Sequence, residues 1–154
     1  MRGTTHLAGG MALGLLCGVA KADPLAIVAL EVGSLLPDID NPQSMLGHYV
    51  PLIGRFCTHR GFTHSLLFQV IVGMVLAVFT VTNPSYTWLW WVEVGIISHV
   101  FLDLMNRKRV QLLFPLQGGV TLPYPNIRMG TWQEVILCLL LITYCLLAVK
   151  DPAL

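Results

Sequence analysis

Within eight residues, Thr58-His59-Arg60-Gly61-Phe62-Thr63-His64-Ser65, the chain places two histidines, one arginine and several hydroxyls at the mouth of a long apolar run. Three further polar groups bear on the same chemistry: Pro37-Asp38-Ile39-Asp40, the pair His99 and Asp103, and His6. Imidazole and carboxylate donors without thiolate suit zinc, with manganese or iron(II) as alternatives. His99 and Asp103, four residues apart on a helix, share one face and can address one ion. Asp38 and Asp40 lie two apart beside a proline, so both can reach a metal if the segment is irregular, and one could bridge two ions. From one to three divalent ions are expected. Such a site lowers the pKa of a bound water to about 7 and supplies hydroxide as a nucleophile. Arg60, between the two histidines, offers a guanidinium fork suited to a phosphoryl oxygen. Thr63 stands beside it as a further substrate contact, and Asp40 is placed to orient the water. The chemistry indicated is hydrolysis of a phosphoester.

The elements that must position these groups are apolar. Of 154 residues, 55% are hydrophobic and only 11% are charged, against about 25% charged in a soluble domain, and the mean hydropathy is +0.72. Apolar runs at 6–20, 24–36, 61–82, 86–105 and 131–149 predict an all-α, polytopic membrane protein of one domain with five transmembrane helices. The first two runs are shorter than the about 20 residues a span requires. Gly10, Gly14 and Gly18, four apart, predict a smooth packing face on the first helix. Asp23-Pro24 is a helix start. Residues 45–56 are mildly amphipathic, and His48 within them reads as a solvent-facing histidine. Trp88, Trp90 and Trp91 read as an interfacial belt. The connection 106–130 carries Pro115, Pro123 and Pro125 and should be mostly irregular, with short extended pieces. Thr131 and Glu134 have the spacing of a capping box.

Counting crossings brings the polar clusters together. His6 begins the first helix, Asp38 and Asp40 end the second, His59 and His64 begin the third, His99 and Asp103 end the fourth, and Glu134 begins the fifth. Five crossings put all of these ends on one membrane face. Arg2, Arg55, Arg60, Arg107, Lys108, Arg109 and Arg128 lie on that side, with Lys21 and Lys150 opposite, which places the site in the cytoplasm.

Other readings stand beside this one. The first run with Ala20-Lys21-Ala22 has features of a cleaved secretory signal, although three glycines at packing spacing suit a retained helix better. The four cysteines, Cys17, Cys57, Cys138 and Cys145, form no CxxC pair and read as small apolar residues, with Cys57 close enough to His59 to be a ligand. The polar groups could form a hydrogen-bonded cap without catalysis. Glu31 and Glu93, inside apolar runs, could extend a cation path inward. Nothing here resembles a nucleic-acid-binding motif or basic stripe, so no nucleic-acid partner is expected. The expected partner is membrane lipid.

At these motifs the chain resembles the YdjM-like family of bacterial inner-membrane proteins assigned as metal-dependent hydrolases. The resemblance runs over about residues 4–136. It is carried by Thr5-His6-Leu7, by Leu35-Leu36-Pro37-Asp38-Ile39-Asp40 running on to Ser44-Met45-Leu46-Gly47, and by His59-Arg60-Gly61-Phe62-Thr63-His64-Ser65-Leu66. Ser98-His99 with Asp103, Leu112-Leu113-Phe114-Pro115, and Gly130 with Glu134 add to it. More remotely, the histidines with an HxxxD pair are similar to the all-α zinc-dependent phospholipase C and P1-nuclease group. That likeness implies His6, Asp38, His59, His64, His99, Asp103 and Glu134 as ligands or catalytic carboxylates, with Asp40 a ligand or general base. It also implies a phospholipid or lipid-linked phosphate as substrate. Where the family often has threonine and glycine after Asp103, this chain has Asn106-Arg107-Lys108-Arg109. The added charge, Arg107 above all, favours an anionic lipid.

Overall fold

The computed structural model describes residues 1–19, 23–56 and 58–150. The Ala20-Lys21-Ala22 and Cys57 readings therefore lie outside the described residues. Six α-helices follow in order: α1 (Gly3–Leu16), α2 (Pro24–Leu35), α3 (Ile53–Phe56), α4 (Leu66–Thr82), α5 (Trp91–Leu104) and α6 (Trp132–Lys150). No strand forms among the described residues. Residues 106–130 contribute two isolated bridges, Asn106 with Ile127 and Val110 with Val120, the short extended pieces expected there.

Local chemistry sets the helix boundaries. Asp23 Oδ1 accepts from the Leu25 amide at 2.8 Å, with Pro24 in the first turn of α2. Ser65 Oγ caps α4 through the Phe68 amide. The leading edges of the third and fourth apolar runs are 3-10 turns instead of α-helix: Phe62–His64 precedes α4, and Pro84–Trp90 precedes α5. The helices are consequently shorter than the runs. At 1.5 Å per residue, α1, α2 and α5 reach only about 18–21 Å, less than the about 30 Å of a bilayer core. Among the described residues, only α6, with 19 residues, is long and apolar enough to cross.

The bundle is inside-out relative to a soluble domain. Val70, Met74 and Val78 on α4 and Leu139, Leu140 and Leu146 on α6 are each at least 57% exposed. The fully buried side chains include His6, His64, His99, Asp40, Asp103 and Glu134. Close helix approach holds the centre together, beside a small apolar core of Val19, Ala26, Leu30 and Ile96. A Cβ on Gly33 of α2 would meet the Val92 carbonyl oxygen of α5 at 2.1 Å, and one on Gly95 would meet the Leu30 carbonyl oxygen at 2.2 Å. Gly10 and Gly14 of α1 face Ser34 and Leu30 of α2, the packing face read from the sequence. Gly18 is a correction to it: a Cβ there would meet no neighbour, and its φ of +88° ends the helix instead.

Thr131 is a second correction. Its hydroxyl donates to the Arg128 carbonyl, and Glu134 Oε2 accepts from the Gly130 amide at 2.6 Å, so the expected reciprocal capping box does not form. His48 sits exposed with Nδ1 at 3.0 Å from the Ser44 carbonyl.

Candidate metal centre

Four segments deliver the polar side chains. His6 comes from the first turns of α1 and Asp38 and Asp40 from the 3-10 turn Leu36–Asp40 after α2. His59, Arg60, Thr63 and His64 come from the segment leading into α4, and His99 and Asp103 from the last turns of α5. The loop 106–130 straps the third of these segments down: the Gln111 amide donates to the Arg60 carbonyl and the Leu66 amide to the Leu112 carbonyl.

For the neutral rings of His59, His64 and His99, the hydrogen bonds assign which nitrogen carries the proton. His99 Nδ1 lies 2.7 Å from the Ser34 carbonyl oxygen. A carbonyl only accepts, so Nδ1 bears the proton and Nε2 the lone pair. Asp40 collects His59 Nδ1 at 2.9 Å on Oδ1, and the Arg60 amide at 3.2 Å and Thr63 Oγ1 at 2.6 Å on Oδ2. Burial pushes the Asp40 carboxyl up. The hydrogen bonds from His59 and Thr63 and the neighbouring His64 and His59 outweigh it and hold the group below the usual carboxylate range. An ionised Asp40 cannot donate, so Thr63 gives its hydroxyl proton to Asp40 and accepts from His64 Nδ1, 3.0 Å away. His64 Nε2 therefore also carries a lone pair, and so does His59 Nε2.

Two lone pairs now face each other, with His64 Nε2 and His99 Nε2 3.2 Å apart. Asp38 Oδ1 is 3.7 Å from both, and Asp103 Oδ2 is 3.5 Å from His64 Nε2. With both rings neutral in these tautomers, no proton lies between these four donors. Zinc bonds of about 2.0–2.2 Å imply tetrahedral donor–donor edges of about 3.3–3.6 Å, close to these distances. The His6 ring stacks on His99 at 3.7 Å between centroids. Both His6 nitrogens are buried without a hydrogen-bond partner, a state that ordinarily costs about 1–3 kcal/mol per group, whereas Asp103 Oδ2 has the Arg60 guanidinium 2.9 Å away. A divalent cation on one His6 nitrogen would relieve part of this deficit. Three overlapping donor groups meet the spacing for one: His6-Asp38-His99, Asp38-His59-His64 and His64-His99-Asp103.

Similarity to known proteins agrees with this arrangement. The family model described as YdjM inner membrane protein matches residues 1–152. The chain belongs to the YdjM inner membrane protein family. It is 33% identical over 143 residues to the uncharacterized protein YvsG of Bacillus subtilis (strain 168), covering 87% of this chain and 85% of that one. It is 34% identical over 122 residues to the inner membrane protein YdjM of Escherichia coli (strain K12), covering 71% of this chain and 59% of that one. The same figures hold for YdjM of Shigella flexneri. No solved structure matches the chain.

In this YdjM-family protein the structure brings His6, Asp38, His59, His64, His99 and Asp103 into the donor groups. Asp40, read as a ligand or a water-orienting base, is placed behind them, because its oxygens already receive His59, Thr63 and the Arg60 amide. Thr63, read as a substrate contact, joins Asp40 to His64. Arg60 is 5% exposed, with Nη1 on the Lys108 carbonyl at 2.8 Å and Nη2 on Asp103 Oδ1 at 2.9 Å. The Met1 amine also lies on Asp103 Oδ1 at 2.8 Å. Arg60 thus holds Asp103 where the sequence implied a guanidinium free for substrate.

Glu134 sits outside the donor groups, receiving the amides of Arg2 and Gly130 and the Thr5 hydroxyl. Arg107 lies at the surface beyond Asn106, outside the donor groups. Glu31 faces α1 and α6 beside Gly10 and Cys145, whereas Glu93 faces Gly73 of α4, so the two line no common path. The Ser34 carbonyl and the Gly33–Gly95 approach escaped the sequence reading. A backbone acceptor has no residue signature, and two single glycines in different runs reveal no pairing.

Proposed function

We propose that this protein is a membrane-embedded, metal-dependent hydrolase that cleaves a phosphoester of a phospholipid or other lipid-linked phosphate. The observation that carries the reading is the close approach of the His64 and His99 Nε2 atoms, 3.2 Å apart and facing Asp38 and Asp103, beside the unpartnered nitrogens of His6. The exposed apolar faces of α4 and α6 support a polytopic placement in the inner membrane. The excess of basic residues on the site side supports a cytoplasm-facing site.

The residues would divide the work as follows. His64, His99, Asp38 and Asp103 hold the ion, with His6 available to it or to a second. Zinc is the leading candidate. When bound, such an ion supplies Lewis acidity toward a phosphoryl oxygen and toward the attacking water. His59, whose side chain is 35% exposed, is the histidine of the cluster that water can reach. Asp40 fixes its tautomer and stabilises the imidazolium, as a buried carboxylate does for a general base. His59 Nε2 takes the proton of the attacking water and returns it to the leaving oxygen.

The second reading is a metal that only ties helix ends together. The commitment of the Arg60 guanidinium to Asp103 favours it, since that group is then not free to meet a transition state. Elemental analysis of the detergent-purified protein beside His64→Ala/Asp103→Ala tests the ion: at least one divalent ion per chain is expected, lost in the double variant. Turnover of phospholipid substrates by the metal-loaded protein, abolished in His59→Ala with metal retained, separates enzyme from tie. A metal-loaded protein that hydrolyses no phosphoester overturns the enzymatic reading.

A further inference from the structure

Beside the metal centre, a cavity of about 530 Å³ is lined by Arg2, Asn106, Arg107, Lys108 and Arg128. No carboxylate lines it. Glu134, beside it, is spent on the amides of Arg2 and Gly130 and so clamps two of its walls together, and Asp103 is paired with Arg60. None of its four cationic side chains is ion-paired among the described residues. Asn106 is only 3% exposed, and its Nδ2 donor is buried without a partner. Such a cavity presents unbalanced positive charge, the complement of a phosphate group.

A second, apolar cleft of about 260 Å³ adjoins it, lined by Met105, Ile127, Trp132, Leu137 and Leu140. The two share a wall. Asn106 bridges to Ile127, with the Ile127 amide on the Met105 carbonyl at 2.7 Å and the Arg107 amide on the Ile127 carbonyl. Residues 105 and 127 thus face the apolar cleft, and residues 106, 107 and 128 the charged cavity. Trp132, 71% exposed at the start of the span-length helix α6, marks the level where headgroups lie.

From this pairing we infer that the cavity and cleft together bind an anionic phospholipid, phosphate among Arg2, Arg107, Lys108 and Arg128 and acyl chain against Trp132 and Leu140. The apolar neighbour favours a lipid over free phosphate. Asn106 follows Asp103 by one turn, its amide on the Asp103 carbonyl at 3.1 Å, which ties the cavity wall to the end of α5. The inference rests on the membrane placement proposed above but not on hydrolysis, and binding is measured without turnover.

The full chain in detergent is titrated with phosphatidylglycerol and phosphatidylcholine of matched chains, with inorganic phosphate as competitor, and bound lipid is read by native mass spectrometry. Phosphatidylglycerol should bind at least about tenfold more tightly, and inorganic phosphate should not displace it. Arg107→Gln/Arg128→Gln should lose about 25-fold in phosphatidylglycerol affinity while keeping its metal content. A second measurement spares the basic residues: phosphatidylglycerol brominated on its chains should quench wild-type tryptophan fluorescence, most of the quench disappearing in Trp132→Phe. Equal affinity for the two lipids, a preference unchanged in the double variant, or quenching unchanged in Trp132→Phe would each overturn the inference. Displacement by phosphate at concentrations comparable to the lipid would overturn it in favour of a free-anion site.

Discussion

Thr63→Val isolates the hydrogen-bond relay that prepares His64. The substitution keeps the shape of the side chain and removes only the hydroxyl. In the native protein that hydroxyl lies 2.6 Å from Asp40 Oδ2 and 3.0 Å from His64 Nδ1, with Thr63 3% exposed, so water cannot replace it. Asp40 Oδ2 keeps the Arg60 amide at 3.2 Å. His64 Nδ1 keeps nothing within hydrogen-bond distance, because Asp40 Oδ2 is 3.7 Å away. The ring is then free to place its proton on Nε2, the form that cannot bind a cation. Loss of an outer-shell partner of this kind weakens metal affinity about 10- to 100-fold, or about 1.4–2.7 kcal/mol. Competition against a chelator of known affinity, with zinc and then manganese, measures it directly in purified protein. Thr63→Ser retains the hydroxyl and should recover most of the loss. The reasoning is refuted if Thr63→Val binds metal like wild type, or if Thr63→Ser loses as much as Thr63→Val.

Two other variants probe the frame around the centre. Gly33→Ala puts a methyl group where the Val92 carbonyl oxygen lies 2.1 Å away, so α2 and α5 must separate. A loss of about 1–3 kcal/mol, seen as a lower thermal midpoint, should come with weaker metal binding, because His99 depends on the Ser34 carbonyl of α2; an unchanged midpoint would contradict the close crossing. Glu134→Gln leaves one backbone amide facing an NH2 group and should cost about 1–3 kcal/mol without changing metal stoichiometry, since Glu134 lies outside the donor groups. Metal loss in that variant would return Glu134 to the ligand set implied by the family resemblance.

The sequence by itself determined which residues meet. His6, Asp38, His59, His64, His99 and Asp103 each sit at an end of an apolar run, and alternating runs bring alternate ends together whatever the packing details. That counting argument needs no side-chain geometry, and it located every residue of the three donor groups. Asp23-Pro24 likewise fixed the start of α2, because capping is decided within a few residues. Roles were decided only by the tertiary structure. Asp40 and Asp38 are two residues apart with the same chemistry, yet one faces the other donors and one is consumed by His59, Thr63 and the Arg60 amide. Arg60 is spent on Asp103, 43 residues away, and Glu134 on the amides of Arg2 and Gly130. The physical reason is that a polar side chain's role depends on which partners satisfy it, and here most partners come from distant segments or from backbone groups that carry no mark in the sequence.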